Sequence, residues 1–303
     1  MEYLNASNSS LFARTSVDEL VSSTVLGLCC ALGVPGNIAV LVMLTQHLKE
    51  DSFTPKLMLS LAISDLLSLI FLPVWIYALL NGWVFGQGLC KLFSYVVYWS
   101  LYSSVFSVTL LSVQRYLQVL YPQQWAKLGR KGQKGLIFGI WTSSGALASY
   151  ALYYRNVKKK KEDGFLRCYQ DYKNKQEQIV VLFIETLVLY VVPLFSMLYF
   201  YYRLHQRINQ SASFRSPRLT KLAVRIVVVF FVFGTPCMIN NLVLMAMPWE
   251  SNTSNNVTGA LFFINCCVNP FLYAFSARAL QSKRKQHSDQ PQQNETQSAV
   301  KHF

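Results

Sequence analysis

Charge is scarce in this sequence: Asp, Glu, Lys and Arg make up 14% of its 303 residues, against roughly 25% in a water-soluble globule. A soluble domain is therefore excluded, and the 52% apolar content with a mean hydropathy of +0.28 points to lipid surroundings. Fourteen glycines and ten prolines exclude collagen and low-complexity disorder, and seven cysteines are too few for a secreted disulfide scaffold. The four histidines, His47, His205, His287 and His302, stand far apart, so zinc-type spacing is absent. Gly86 and Gly88 lack the third glycine of a dinucleotide fingerprint, and no nucleophile elbow, Walker-type loop or potassium filter occurs. An enzyme is not indicated. The basic segments lack the aromatic interleaving of a nucleic-acid surface, which leaves anionic membrane lipid as their partner.

What the sequence has in quantity is long apolar runs. A charge at the bilayer centre costs at least about 2.5 to 3.5 kcal/mol and a crossing helix needs roughly 20 residues, so charge gaps locate spans. Seven gaps qualify: Leu20 to Leu48, Leu57 to Cys90 with only Asp65 charged, Leu92 to Gln114, Gly135 to Tyr154, Gln178 to Tyr202 with only Glu185, Ile226 to Trp249, and Val257 to about Ala277. None shows the two-residue alternation of a barrel wall. The expected fold is an all-α membrane protein, a seven-transmembrane helix bundle over residues 18–277. An extracellular tail, 1–17, precedes it, and a short cytoplasmic amphipathic helix and tail, 278–303, follow.

With the N-terminus outside, 18 of the 28 Lys and Arg fall on the inner side, as the positive-inside rule requires. The expected location is the plasma membrane, with the C-terminus cytoplasmic. The first 17 residues lack an apolar cleavable signal. Sequons at Asn5, Asn8, Asn252 and Asn256 then face outward as glycosylation sites, whereas those at Asn209 and Asn294 face inward, unused. The outer segment from Arg155 to Lys175 breaks the rule, with Lys158 to Lys161, Arg167, Lys173 and Lys175 against Glu162, Asp163 and Asp171. It reads either as a solvated charge run or as an electrostatic funnel for an anionic ligand. Five cysteines lie within spans; Cys90 and Cys168 remain, both on the oxidising side, and a disulfide between them is the economical reading.

The polar and proline residues within the spans form a pattern. It comprises Gly36-Asn37, Leu61-Ala62-Ile63-Ser64-Asp65, Trp83-Val84-Phe85-Gly86, Gln114-Arg115-Tyr116 with Pro122 beyond, Trp141, Pro193, Tyr201, Phe230, Pro236, and Asn269-Pro270-Phe271-Leu272-Tyr273. The pattern resembles the rhodopsin-like (class A) G-protein-coupled receptors over nearly the whole chain. The resemblance implies a sodium pocket at Asp65, Ser104, Asn265 and Asn269, sodium being an allosteric ion and the only metal. The alternative is an Asp65 held in a purely structural hydrogen-bond network. The resemblance also implies activation and G-protein coupling through Arg115, Tyr201, Phe230, Pro236 and Tyr273, although snorkelling alone explains an arginine at the inner end of span three. Prolines 193, 236 and 270 each remove a helix hydrogen bond and mark bends. Gln114 stands where the family commonly has an acid, Gly234 where it has tryptophan, and no cysteine follows Cys267 to carry a palmitoyl anchor on a helix at Phe275 to Lys285.

Span seven has no lysine for a Schiff base, and Val97 stands where amine receptors have aspartate. Gly33 to Asn37, Ser94 to Val97, Ser100 to Val105, Arg155 and Glu185 resemble the chemoattractant group, in particular the branch that senses leukotriene B4. The implied ligand site is Tyr98, Tyr102, Arg155, Glu185 and Asn241, with Arg155 on a lipid carboxylate and Glu185 and Tyr102 on its hydroxyls. The implied partners are an extracellular anionic lipid, a heterotrimeric G protein of the Gi type, arrestin and membrane lipids. Two alternatives stay open: a receptor for a chemotactic peptide or chemokine-like ligand, and a non-signalling scavenger or decoy with the same fold, suggested by Gln114 and Gly234.

Overall fold

The structure, a computed structural model, describes residues 16–47, 53–160, 164–209, 217–247 and 253–270. Among these, six helices are long and apolar enough to cross a membrane: Val17–Thr45, Phe53–Asn81, Gly86–Leu120, Gly129–Tyr154, Lys175–Arg207 and Val227–Ala246. A seventh, Thr253–Phe262, is helical again over 264–270, where the described residues end. The expected tail at 1–15, the amphipathic helix at Phe275 to Lys285, and Asn5, Asn8, Asn252 and Tyr273 lie outside the described residues.

Prolines shape several spans, in different ways. Span two is broken into Phe53–Leu69 and Leu72–Asn81, because Pro73 has no N–H and its ring crowds the preceding turn. In span five Pro193 is accommodated by a π-helical turn, Leu187–Val191, in which the Val192 N–H reaches back five residues to the Leu187 carbonyl. Pro236 sits inside an uninterrupted helix, Pro217–Ala246.

Exposed apolar side chains such as Phe138, Phe195, Tyr202 and Val232 cover the outside, while Ser22, Asn37, Ser64, Asp65, Ser68, Ser100 and Asn269 are buried. This distribution follows from the solvent: lipid is as apolar as a core, so close packing and interhelical hydrogen bonds hold the helices together. Small residues permit the closest approaches. A Cβ at Gly33 would stand 2.7 Å from Leu69 Cδ1, and one at Gly36 3.0 Å from Pro270 Cβ, so the Leu69 side chain of span two and the Pro270 ring of span seven pack directly on the backbone of span one. At that seam Asn37 Nδ2 donates to the Gly33 and Cys266 carbonyls, both at 2.9 Å.

One feature departs from an all-α reading. The basic segment after span four forms a hairpin of β1 (Arg155–Lys159) and β2 (Leu166–Gln170), antiparallel with Arg155 opposite Gln170 and Val157 opposite Cys168. The lysine run hides the strand in the sequence, since it carries no apolar alternation. The ladder satisfies the backbone groups of a segment held close against the bundle.

Candidate functional site

Between the hairpin and the ends of the spans lies a cavity of about 1110 Å³. Several attachments fix the hairpin over it. Cys90, at the head of span three, is bridged to Cys168 with Cα atoms 5.7 Å apart, as the sequence suggested. Gln87 Nε2 donates to the Arg155 carbonyl at 2.9 Å, and its Oε1 accepts from the Val157 N–H at 2.8 Å. Arg167 is buried: Nη2 meets Glu19 Oε1 at 2.9 Å, and Nη1 donates to the Ala78 and Leu79 carbonyls, each at 2.6 Å. Those carbonyls belong to the last turn of Leu72–Asn81, so the guanidinium also caps a helix C-terminus.

Arg167 is thus a structural cation, and the solvated-run reading does not describe it. Lys160 Nζ lies 3.5 Å from the same Glu19 oxygen. Lys158 pairs with Asp171 at 2.7 Å, and Lys173 donates to the Tyr153 hydroxyl. Lys158, Lys159, Lys173 and Lys175 are exposed and line the cavity, which therefore has a basic mouth.

Deeper in, Arg155 follows directly on span four, because Tyr154 ends the helix and β1 begins with the arginine. Its Nη2 donates to the Tyr98 hydroxyl at 3.0 Å and Nη1 to the Cys168 carbonyl at 3.3 Å. The guanidinium carbon stands 5.5 Å from the Tyr98 ring centre and 6.0 Å from that of Trp75, within cation–π range. Among the described residues no ion pair joins Arg155 to Glu185. Glu185 lines the same cavity with Asn241, whose Nδ2 donates to Thr186 Oγ1 at 3.2 Å. Tyr102 does not reach the cavity: one helical turn below Tyr98, it is buried against Phe106.

The sequence reading missed several groups here. Gln170 Nε2 donates to the Tyr98 hydroxyl at 3.0 Å. Arg155 Nε, Trp75 Nε1 and the hydroxyl of Tyr172 are buried without a hydrogen-bond partner. Burial holds the Tyr172 phenol well above its usual pKa, so it stays a donor. The available signal was the density of tyrosine on both sides of an arginine at a span end. The cavity wall is rich in donors around one cation, an arrangement that fits an anion carrying further acceptors.

A second constellation lies mid-bundle. Asp65 is fully buried and accepts from Ser104 Oγ at 3.0 Å and Asn269 Nδ2 at 2.8 Å. Asn265 does not bond to it; Nδ2 donates to the Phe262 carbonyl at 3.1 Å, and its buried Oδ1 has no partner.

The third group is at the opposite end from the hairpin. Thr54 Oγ1 accepts from both Gln114 Nε2 at 2.7 Å and Arg115 Nη2 at 3.2 Å, while Arg115 Nη1 donates to Gln118 Oε1 at 3.3 Å. A hydroxyl of span two thus links the two span-three side chains. Phe230 is buried and stacks on Tyr190, with ring centres 6.4 Å apart. Tyr201 is exposed and stacks on His205, away from Arg115. Asn256 lies on Thr253–Phe262 and lines the cavity, so a glycan there would share space with a ligand.

Residues 36–273 match the 7 transmembrane receptor (rhodopsin family). The chain is similar to human leukotriene B4 receptor 1, 30% identical over 275 residues, covering 86% of this chain and 78% of that protein. It is also similar to human C-C chemokine receptor type 7, 27% identical over 265 residues, covering 81% and 69%. To G-protein coupled receptor E1 of equine herpesvirus 2 it is 30% identical over 266 residues, covering 80% and 67%. These identities are too alike to rank one ligand class above another, and that choice falls to the cavity.

Proposed function

The chain belongs to the rhodopsin family of seven-transmembrane receptors, in its chemoattractant group, and on that premise we propose that it senses an anionic lipid mediator such as leukotriene B4 and activates a Gi-type G protein. The family makes it a multi-pass membrane receptor with an extracellular ligand and a G-protein partner, and not an enzyme. The observation that carries the ligand reading is Arg155, a cavity cation whose contacts are neutral: two donated hydrogen bonds and two aromatic faces. A lipid carboxylate supplies the missing counter-charge, with Glu185 and Asn241 on the ligand's hydroxyls. The exposed lysines at the mouth favour an anion over a cationic ligand.

In this reading the hairpin and the N-terminus are extracellular, and the lysine- and arginine-rich inner ends face the cytoplasm. Glycans at Asn5, Asn8 and Asn252 belong to the same outer surface. At the inner end Arg115, with Tyr201, Phe230, Pro236 and Tyr273, serves G-protein coupling, and arrestin binds the same face. A sodium ion fits mid-bundle: the buried, unpartnered Asn265 Oδ1 and the Asp65 carboxylate are oxygen ligands of the hard kind it needs, with Ser104 and Asn269 beside them. Bound there, it supplies a positive charge that favours one arrangement of the spans over another.

The test is a cyclic AMP reporter in cells expressing the chain, challenged with leukotriene B4 and with acidic and basic chemotactic peptides. Inhibition by leukotriene B4 supports the reading. A response to peptides alone moves the ligand to the peptide class, and binding without any response moves the chain to the decoy class.

A further inference from the structure

On the hairpin side of the cavity the chain is anchored residue by residue, and one polar group is left out of the anchoring. β1 and β2 pair from Arg155 opposite Gln170 to Lys159 opposite Leu166, and the chain stays held beyond the ladder, where the Asp171 N–H donates to the Tyr154 carbonyl at 2.7 Å. The Asp171 carboxylate takes Lys158 Nζ at 2.7 Å and Asn156 Nδ2 at 3.2 Å. Two residues on, the Lys173 N–H donates to Glu177 Oε2 at 3.1 Å, and its Nζ donates to the Tyr153 hydroxyl. Tyr172 is thus clamped between two anchored neighbours, and its ring packs on Tyr154 with centres 5.3 Å apart.

Tyr172 lines the cavity, yet its buried hydroxyl meets no acceptor. A buried donor without an acceptor costs free energy, and phenylalanine would fill the same space without that cost. Arg155 Nε and Trp75 Nε1, the orphan groups on the same cavity wall, are donors as well. Arg155 and Tyr172 lie close enough to interact electrostatically. A carboxylate offers two oxygens with about four lone-pair sites between them, so an acid that takes the Arg155 guanidinium has room for a neutral donor besides. Trp75 is also packed on Trp83, with ring centres 5.3 Å apart, whereas the Tyr172 hydroxyl is one atom that can be removed with the ring left in place.

We propose that Tyr172 is a further ligand-reading residue, its hydroxyl donating to the acid group that Arg155 neutralises. The assignment rests on the anionic-lipid reading above and deepens it: the acid is held from two sides, by a cation at the end of span four and by a neutral donor on the segment that follows β2. The anchored neighbours hold the hydroxyl in place beforehand, so little ordering is needed when the acid arrives.

The test uses the full chain in lipid nanodiscs, with Tyr172→Phe, which removes one oxygen and keeps the ring on Tyr154. Without ligand the variant should melt at or above the parent temperature, because no bond within the protein is lost. Equilibrium binding of leukotriene B4 and of arachidonate is then measured. A hydrogen bond to a charged group is worth roughly 10- to 100-fold in affinity, so each acid that binds the parent should bind Tyr172→Phe more weakly by that factor. In the Arg155→Ala background the same change should cost nothing further, because both side chains act on one group. A lower melting temperature, unchanged affinity for the acids, or losses that add in the double variant would each overturn the role of Tyr172 and leave that of Arg155 standing. Arachidonate binding that depends on Tyr172, without leukotriene B4 binding, upholds the residue and refutes the leukotriene reading. No binding of either acid to the parent overturns both.

Discussion

Replacing Arg167 by methionine should be among the most destabilising single changes on the hairpin side of the receptor, although the residue lies in a lysine-rich loop. The arginine and Glu19 are 7% and 3% exposed, and their contact at 2.9 Å is shared with two backbone carbonyls at 2.6 Å. Breaking a buried pair from one side costs about 3 to 5 kcal/mol, because the remaining charge is left uncompensated. Glu19 keeps Lys160 at 3.5 Å and the Ser16 N–H at 3.3 Å, which places the loss near the lower end, about 3 kcal/mol. Glu19→Gln should cost less, about 1.5 to 3 kcal/mol for hydrogen bonds to a charged group, since Arg167 retains both carbonyls. The double variant should lose less than the sum of the two, having no orphaned charge. Lys158→Met is the control: its pair with Asp171 is exposed, the side chains at 58% and 29%, and such pairs contribute about 0 to 1 kcal/mol. The assay is the apparent melting temperature of the purified ligand-free receptor. Arg167→Met melting with the parent, or no lower than Lys158→Met, would refute the reasoning.

Two further outcomes concern the other constellations. Sodium should weaken agonist binding at constant ionic strength, and Asp65→Asn should abolish that effect; equal salt responses in both forms would remove the ion from Asp65. Thr54→Val removes the hydroxyl on which Gln114 and Arg115 converge, so basal nucleotide exchange should rise, by about 2- to 10-fold for one such bond, while Gln114→Asp, which gives Arg115 a charged partner, should lower it. Unchanged basal exchange in both at matched expression would contradict this.

Much of the fold was legible because lipid forbids unpaired charge: among the described residues six of the seven charge gaps coincide with helices long enough to cross a membrane, and the two acids inside gaps, Asp65 and Glu185, mark two of the functional constellations. The partners of Asp65 were readable as the polar residues on facing spans, and two of the three bond to it. Other features were hidden for physical reasons. Thr54 is one hydroxyl among many in apolar helices, and nothing local marks it as the acceptor for Arg115. Arg167 is indistinguishable in sequence from the solvated lysines around it, because its burial depends on Glu19, 148 residues away. The hairpin is set by backbone pairing and a disulfide rather than by alternation. Tyr102 sits one turn from Tyr98 on the same span, but its side chain is buried against Phe106 and is not part of the cavity wall.

The most direct test of the ligand assignment is equilibrium binding of leukotriene B4 and its methyl ester to the purified receptor and to Arg155→Ala. Truncating one partner of a buried, hydrogen-bonded charge pair costs about 2 to 5 kcal/mol, so the acid should bind Arg155→Ala at least roughly 30-fold more weakly than the parent. The parent should prefer the acid to the ester, and Arg155→Ala should not distinguish them. Equal affinity of acid and ester in the parent, or an acid preference that survives in Arg155→Ala, would contradict the role given to this arginine.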